Sequence, residues 1–271
     1  NATSTVSVGN SPVSFATIGS KVYVANTSDA TVSIIDTANN NSVTTVSVGG
    51  SPDGLTAVNS KVYTANFASG TVSIIDTSNN NAVSSITVNY RPVSTFYLNS
   101  KLYVANTGSS TVSVIDIDTT FPTILSISSS KNNGTYGVGE IIPIDIIFSE
   151  AVTSTGNVTM TLETGTTDRT CEFSITSSST ATCNFTVQAG DTVSDLTVNS
   201  VSGTIRDAGS NLMSDFSIPS NIADTKNIIV DAFAAAPTVS SPSSNGVITS
   251  FPLSIAGTCE SGSTVYITNS N

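Results

Sequence analysis

One short run of residues recurs three times at a fixed spacing in the first part of this 271-residue chain. The run is K-[VL]-Y-[VT]-A-N, and its copies begin at Lys21, Lys61 and Lys101, which stand 40 positions apart. A second run, T-V-S-[IV]-I-D, begins ten positions after each lysine, and a proline stands nine positions before each. Matches at three fixed offsets indicate a structural unit that is repeated along the chain.

Within one unit, alternating apolar and polar residues predict four short strands. In the first unit these are Ser14–Ile18, Lys21–Ala25, Thr31–Ile35 and Val43–Val48. Turn-forming residues such as Gly-Ser and Asn-Asn-Asn separate them, so we expect a four-stranded antiparallel meander. A four-stranded sheet that recurs about every 40 residues is typical of a β-propeller blade, whose two faces are both covered by neighbouring blades.

The repeats resemble the YVTN-type β-propeller repeats of bacterial and archaeal cell-surface proteins. The motif reads Y-V-A-N at Tyr23–Asn26 and Tyr103–Asn106, and Y-T-A-N at Tyr63–Asn66. The resemblance covers residues 1–118. It implies an all-β fold in which residues 1–120 form three propeller blades, with the motif tyrosines packed between blades.

The asparagine that ends each motif has two interpretations. In the structural one, which we favour, the amide of Asn26, Asn66 or Asn106 serves the turn that follows its strand. In the functional one, the three amides lie on one rim and form a repeated polar ligand. Nothing in the sequence promotes the functional interpretation.

Three blades are too few for a closed propeller, which has roughly four to eight. The segment Thr3–Val8 resembles the fourth strand of a unit, whereas the third unit ends after Asp116 without one. A first strand in this position is able to complete a final blade. Three arrangements stay open: further blades upstream in a longer protein, several chains that close a ring together, or an open stack.

A different pattern begins at Phe121, where the period stops. About seven short strands over roughly 100 residues favour an immunoglobulin-like (Ig-like) sandwich. The runs F-S-E-A-V at 148–152, G-D at 190–191 and D-A-G-S-N at 207–211 resemble bacterial Ig-like, cadherin-like repeats, although the last departs from them by an inserted serine. We expect an Ig-like domain over residues 121–231, then a linker and the start of a second, truncated Ig-like domain over residues 232–271.

The three cysteines indicate an oxidising compartment. Cys171 and Cys183 lie on segments that are predicted to form a hairpin centred near Ser177, which places them opposite each other within disulfide range. We therefore predict a Cys171–Cys183 disulfide and a protein outside a reducing cytosol. Cys259 is expected to bridge to a residue beyond Asn271, with a buried free thiol as the alternative.

Charge and composition exclude several functions. A net charge of −11 with eight Lys and Arg leaves no basic patch for nucleic acid, and no apolar run approaches the roughly 20 residues that span a membrane. The chain has no His and no Trp, so it lacks the usual general base, the commonest zinc ligand and the favoured sugar-stacking ring. We therefore predict no enzyme site, no nucleic-acid partner and no membrane insertion.

Calcium is the one metal that the sequence makes worth considering, because carboxylates often gather at the joints of Ig-like and cadherin-like arrays. The acids show no regular D-x-D-x-D spacing, so the favoured expectation is that they are solvated turn residues and that no cofactor is bound. The candidate ligands are Asp116, Asp118, Glu150, Asp191, Asp207 and Asp231.

The expected function is structural or adhesive, in an extracellular or cell-surface layer, an adhesin or an extracellular filament. The expected partners are other copies of the chain or other surface proteins. The alternative is a module that binds a glycan or a protein through the propeller face. Both expectations depend on fold analogy, and propellers host many unrelated activities.

Overall fold

The chain is nearly all β in a computed structural model that describes residues 3–233 and the backbone of two later strands, β20 Thr238–Ser241 and β21 Ala256–Thr258. It divides into two compact units. Unit 1 is Asn1–Pro122 with Arg206–Ser214, and unit 2 is Thr123–Ile205 with Asp215–Asn271. Within the described residues, no helix is long and apolar enough to cross a membrane.

Unit 1 contains three antiparallel sheets, one for each repeat, with their strands in chain order. Sheets 1 and 2 have four strands, whereas sheet 3 has three in the described part of the chain. The strands of sheet 1 are β1 Pro12–Ile18, β2 Lys21–Asn26, β3 Thr31–Asp36 and β4 Ser42–Ser47. Those of sheet 2 are β5 Pro52–Val58, β6 Lys61–Asn66, β7 Thr71–Asp76 and β8 Ala82–Thr87. Those of sheet 3 are β9 Pro92–Leu98, β10 Lys101–Asn106 and β11 Thr111–Asp116.

The repeat fixes both the strands and the turns between them. In sheets 1 and 2 the third and fourth strands are joined by a loop that ends in two asparagines with positive φ, of 50° and 56° at Asn40 and Asn41 and of 50° and 57° at Asn80 and Asn81. Asparagine tolerates this left-handed conformation better than most residues do. The predicted asparagine turns therefore have a direct physical cause.

The three sheets of unit 1 pack face against face. Tyr23 and Val32 of sheet 1 form a buried cluster with Val62 and Ile75 of sheet 2. The opposite face of sheet 2 forms a second cluster with sheet 3, in which Tyr63 and Val72 of sheet 2 meet Leu102 and Val104 of sheet 3, together with Ile117. Sheet 2 is covered on both faces as a result, and every residue of its strand β6 is buried.

Unit 2 is organised around one long strand, β14 Ile141–Glu163, which pairs with different partners along its length. Its first part pairs with β12 and β16, and its last part with β15. The sequence predicts two separate strands here, Ile141–Phe148 and Asn157–Glu163, and the structure joins them. The sheet contains β12 Ile124–Ser129, β14, β15 Arg169–Phe173, β16 Ser178–Thr186 and β18 Thr197–Asp207.

A smaller three-stranded sheet completes the described part of unit 2. It has the order β13-β19-β17, where β13 is Gly134–Tyr136, β17 is Thr192–Val193 and β19 is Ile228–Asp231. One short helix, α1 Ile222–Thr225, precedes β19 and begins with a capping box in which Asn221 and Asp224 bond each other's backbone. Strands β20 and β21 pair antiparallel; the remaining residues of the predicted second Ig-like domain, including Cys259, lie outside the described residues.

The disulfide joins Cys171 and Cys183, whose Cα atoms are 6.0 Å apart, but not through the predicted hairpin ladder. Cys171 is opposite Met160 and Cys183 is opposite Ile144, so each cysteine pairs with a different part of β14. The expected direct register of Cys171 with Cys183 is therefore wrong. Both side chains are buried. The disulfide links β15 to β16, which pair with different parts of β14.

The packing between sheets 2 and 3 generates a matched pair of stability predictions. Leu102→Ala removes a fully buried side chain and should lower the free energy of unfolding by about 2–5 kcal/mol. Leu98→Ala, on a side chain of the same sheet that is 49% exposed, should lower it by roughly 1 kcal/mol or less. Urea unfolding midpoints measure both values. Equal losses for the two variants would contradict the packing described for sheet 3.

Removing the disulfide should destabilise unit 2. The bridge closes a loop of 12 residues, and the loop-entropy model gives about 3 kcal/mol for a loop of this length. The Cys171→Ala, Cys183→Ala double variant should therefore unfold at a lower urea concentration than the oxidised wild type. Wild-type protein treated with a reductant is the control, and it should unfold near the midpoint of the double variant. A reductant that leaves the wild-type midpoint unchanged would contradict the bridge.

Candidate functional site

A concave site of about 430 Å³ lies in unit 1. Charged and aromatic groups of the second and third repeats line it, and a loop at 208–210 covers part of it. Lys61 and Tyr63 come from β6, and Asp76 comes from the end of β7. The remaining polar and acidic lining includes Asn79, Ser84, Asp116, Asp118, Gly209 and Ser210.

Lys61 is the buried cation of this cavity. Its ammonium group donates one hydrogen bond to the carbonyl oxygen of Gly209 at 2.5 Å and another to Oδ1 of Asn211 at 2.9 Å. Burial removes water from the ammonium group and lowers the pKa of Lys61, while the negative charge of Asp76 acts in the opposite direction. Lys101, the same residue of the third repeat, instead pairs with Asp116 at the surface.

Asp76 is opposite Lys61 in the ladder between β6 and β7, but it bonds other groups. Its carboxylate accepts hydrogen bonds from the backbone and the hydroxyl of Ser78, and Arg206 lies 3.4 Å away. Arg206 also donates to the backbone oxygens of Ser78, at 2.7 Å, and Ser210, at 3.0 Å. The guanidinium therefore holds the 206–210 segment against the turn after β7.

Asn211 is the central hydrogen-bonding residue of the same network. It accepts from Lys61, its Nδ2 donates to the carbonyl oxygen of Asp118 at 3.2 Å, and its Nδ2 and backbone N–H donate to the carboxylate of Asp207 at 2.9 and 2.8 Å. Sequence reasoning singled out the D-A-G-S-N run but assigned no role to Asn211. The contact with Lys61 spans 150 positions, and no local pattern signals it.

Tyr63 is buried between sheets 2 and 3, which changes its acidity. Burial disfavours the phenolate and raises the pKa of Tyr63 to about 12, and the negative charge of Asp76 adds to the effect. Tyr23, the same residue of the first repeat, also has a raised pKa because it is buried. Neither tyrosine is therefore suited to act as a base near neutral pH.

The cavity can offer carboxylates and backbone oxygens to a bound molecule, which suits hydroxyl or ammonium groups. A buried lysine with a lowered pKa is a feature of some nucleophilic sites. In this chain the Lys61 ammonium instead donates to two protein oxygens, which fixes it as part of the wall. The geometry supports binding of a polar molecule better than covalent chemistry at Lys61.

The three motif asparagines are buried, which decides between their two interpretations. Asn26, Asn66 and Asn106 are each at most 1% exposed, so they do not form a surface rim. In every repeat the Nδ2 atom donates to a threonine five positions later and to a serine seven positions later. The amide therefore fastens the turn between two strands, as the structural interpretation expects.

Most of the six candidate calcium ligands have protein partners of their own, and no metal is assigned to them. Asp116 pairs with Lys101, and Asp191 accepts from Arg169 at 2.7 Å. Asp207 is bonded to Asn211, and Asp231 accepts from the backbone of Phe233 at 3.4 Å. Asp116 and Asp118 both line the cavity of unit 1, and Glu150 lies on β14 of unit 2. Calcium binding therefore stays an untested alternative to the expected solvated turn acids.

No protein-family model matches the chain, and no curated protein is similar to it. The solved structures that match include two that are similar over most of its length. Hydrazine synthase from Kuenenia stuttgartiensis is 17% identical with a TM-score of 0.36, over 76% of this chain and 80% of that one. Apo AztD from Citrobacter koseri is 10% identical with a TM-score of 0.28, over 70% of this chain and 57% of that one. Likenesses at this level assign no function.

The prediction that the chain is not an enzyme is contradicted by the first of these structures, because hydrazine synthase is an enzyme. A chain without His lacks His-dependent sites, but carboxylates alone can act as general acid and base. Asp76, Asp116 and Asp118 line one cavity in this chain. A TM-score of 0.36 identifies no reaction, so no reaction is assigned.

The raised pKa of Tyr63 predicts how stability changes at alkaline pH. Since the folded-state pKa is about 12 and the ordinary value is 10.0, the protonated phenol favours the folded state, and this contribution is lost as the pH rises from about 10 to 12. Tyr63→Phe should therefore lose less stability than the wild type over this range. Urea midpoints at pH 8 and at pH 11.5 measure the difference.

Lys61 also contributes to the pH dependence of stability, but it does not affect this comparison. Its lowered pKa acts in the opposite sense, because stability rises with pH up to its ordinary value of 10.5. Both proteins retain Lys61, so this contribution cancels when their alkaline losses are compared. Equal alkaline losses in the wild type and Tyr63→Phe would contradict the burial of the Tyr63 hydroxyl.

Proposed function

We propose that this chain is an extracellular structural or adhesive protein of a cell-surface layer, an adhesin or a filament. The observation that carries the proposal is the stack of three sheets in unit 1, which buries both faces of sheet 2 and leaves large apolar side chains on its two outer faces. Phe15 is 72% exposed on sheet 1, and Phe96 is 63% exposed on sheet 3. Contiguous exposed apolar surface typically marks an interaction site.

In this proposal the three sheets are propeller-type blades. Two of them are four-stranded meanders in chain order, and they recur with the period of the sequence motif. Face-to-face packing of such sheets is how a propeller covers each blade. Unit 2 is proposed to be an Ig-like module, because its five-stranded sheet, its three-stranded sheet and its buried disulfide suit that architecture.

An extracellular setting is supported by the disulfide and by the charge distribution. A buried disulfide suits an oxidising compartment better than the cytosol. Few charged residues cover the chain, and Ser, Thr and Asn occupy much of its exposed strand surface. The proposed partners are other copies of the chain or other surface proteins.

A second candidate function, binding of a glycan or of a polar group on a protein, is favoured by the cavity at Lys61, Asp76 and Asp118. Its carboxylates and carbonyl oxygens are suitable acceptors for sugar hydroxyls. This function would use unit 1 as a receptor surface and does not require association between copies.

Two measurements on the purified chain separate these functions. The structural function predicts ordered filaments or sheets by negative-stain electron microscopy as protein concentration rises, together with weak and unsaturable signals on a glycan array. The binding function predicts saturable glycan signals that Asp76→Asn reduces at least several-fold. Ser84→Ala, another change in the cavity wall that alters no charge, is the control. Saturable binding without assembly would contradict the structural function.

A further inference from the structure

In the described residues, the stack of unit 1 ends in two different faces that no further sheet covers. The first face of sheet 1, formed by Val13, Phe15, Val22 and Val24, lines a groove of about 220 Å³. Val13 is 53% and Phe15 is 72% exposed. We call this surface the head face; all four of these side chains are apolar.

The opposite end of the stack is the outer face of sheet 3. Phe96 and Tyr103 are opposite each other in the β9–β10 ladder, and Val114 is opposite Tyr103 in the β10–β11 ladder, so the three side chains share one face with Val112. Val112 is 58% and Val114 is 54% exposed. We call this surface the tail face.

Both faces have counterparts inside the chain, where they are buried. Val22 of the head face corresponds to Val62 and Leu102, which are 0% exposed. Val112 of the tail face corresponds to Val32 and Val72, which are also 0% exposed. At each internal joint the tail-type face of one sheet packs on the head-type face of the next. The two outer faces are therefore two halves of a joint that the chain forms twice.

The strands at the two ends of the stack are complementary in the same way as the two faces. Sheet 3 stops at β11, whose outer edge has no ladder partner in the described part of the chain. The segment at 3–8, T-S-T-V-S-V, corresponds to V-T-T-V-S-V at 43–48, most of which forms β4, the fourth strand of sheet 1. Residues 3–8 are not assigned to a strand, and no backbone hydrogen bond within the described chain pairs them. One edge lacks a strand, and one strand-like segment lacks an edge.

We propose that a second copy of this chain supplies the missing half: its tail face packs on the head face, and residues 3–8 of the first copy add to the free edge of the partner's β11. The register follows from the ladders of sheets 1 and 2, where Thr31 is opposite Ser47 and Thr71 is opposite Thr87. Ser7 of one copy is then opposite Thr111 of the other, and Val6 is opposite Val112.

The contact is head to tail, since it joins two different surfaces. Such contacts produce a ring if the rotation between copies closes and a filament if it does not. Strand addition supplies backbone hydrogen bonds, and the apolar faces supply buried area. The inference rests on the proposed structural function and names its partner as another copy of the same chain.

The first test uses one charged substitution on each face. Phe15→Lys blocks the head face and Val112→Lys blocks the tail face, so that the two blocked faces repel each other; both positions are exposed, so both variants should melt within a few degrees of the wild type. Each variant alone should be monomeric by light scattering coupled to size exclusion, at concentrations where the wild type associates. A 1:1 mixture should form a dimer and nothing larger, because it contains one intact head face and one intact tail face. Val138→Lys, at a 59% exposed position of unit 2, should associate like the wild type.

The second test measures the strand register. In a Cys259→Ser background, Ser7→Cys and Thr111→Cys chains should form a disulfide-linked heterodimer on mild oxidation, because directly opposed strand positions lie within disulfide range. Ser7→Cys mixed with Ser113→Cys is the control, because that pair is offset by two positions, roughly 7–8 Å apart, and should cross-link several-fold less.

The outcomes separate this inference from the function on which it rests. Wild-type assemblies that neither variant disturbs would overturn the head-to-tail pairing and leave the structural function intact. A wild-type chain that stays monomeric at every concentration would overturn this inference and the self-assembling form of the proposed function, and it would leave only adhesion to other surface proteins. A mixture of the two variants that forms no dimer, or cross-linking that favours the offset pair, would overturn the proposed pairing even if the wild type assembles.

Discussion

The fold of unit 1 depends on one constraint: each repeat forms a sheet with two apolar faces, and a single sheet of this size cannot cover either of them. The chain meets the constraint by stacking sheets, so that Tyr23 of sheet 1 and Tyr63 of sheet 2 are almost wholly excluded from water. Tyr103 of sheet 3 has the same motif but only partial cover, because no fourth sheet follows it in the described residues. Burial therefore depends on a repeat's place in the stack as well as on its sequence.

The polar residues of the repeat form the hydrogen bonds that join one sheet closely to the next. The amide of Asn66 bonds the hydroxyls of Thr71 and Ser73, and the hydroxyl of Ser73 also accepts the backbone N–H of Gly49 in the connection between sheets 1 and 2. A Cβ atom at Gly49 would lie 2.5 Å from Nδ2 of Asn66, so a side chain at this position would force Asn66 to move. In the third repeat Asn89 takes that place and bonds Thr111 through its own side chain. The buried asparagine thus links turn, strand and crossover.

Sequence reasoning predicted best where a local pattern was repeated. The first predicted strand of unit 1, Ser14–Ile18, lies within β1, and the asparagine turns occur where the pattern placed them. It failed in unit 2, where no repeat constrains the pairing. The two predicted strands at 141–163 form one, because alternating residues continue through the turn-like S-T-G run and each part finds a different partner. The cysteine pairing was predicted from a hairpin register that the structure does not contain, although the two sulfurs do meet.

The cavity could not be predicted from local sequence patterns, for a related reason. Lys61 has nearly the same neighbours in sequence as Lys21 and Lys101, and nothing near it indicates that, of the three, it alone is buried. Its surroundings are set by Gly209 and Asn211, which are 148 and 150 positions away. A repeat predicts what its copies share. The features that distinguish one copy, which are the usual basis of a specific site, come from distant parts of the chain.

Net charge and the uncovered faces act against each other. A charge of −11 repels like chains at long range, whereas the head and tail faces attract at contact. Salt at physiological strength screens the repulsion beyond about 8 Å, but it leaves apolar contact unweakened. Association of this chain is therefore expected to strengthen with ionic strength, the reverse of a contact made by opposite charges. The net negative charge and the apolar contact faces together favour an assembly that forms in saline surroundings and loosens when the salt is removed.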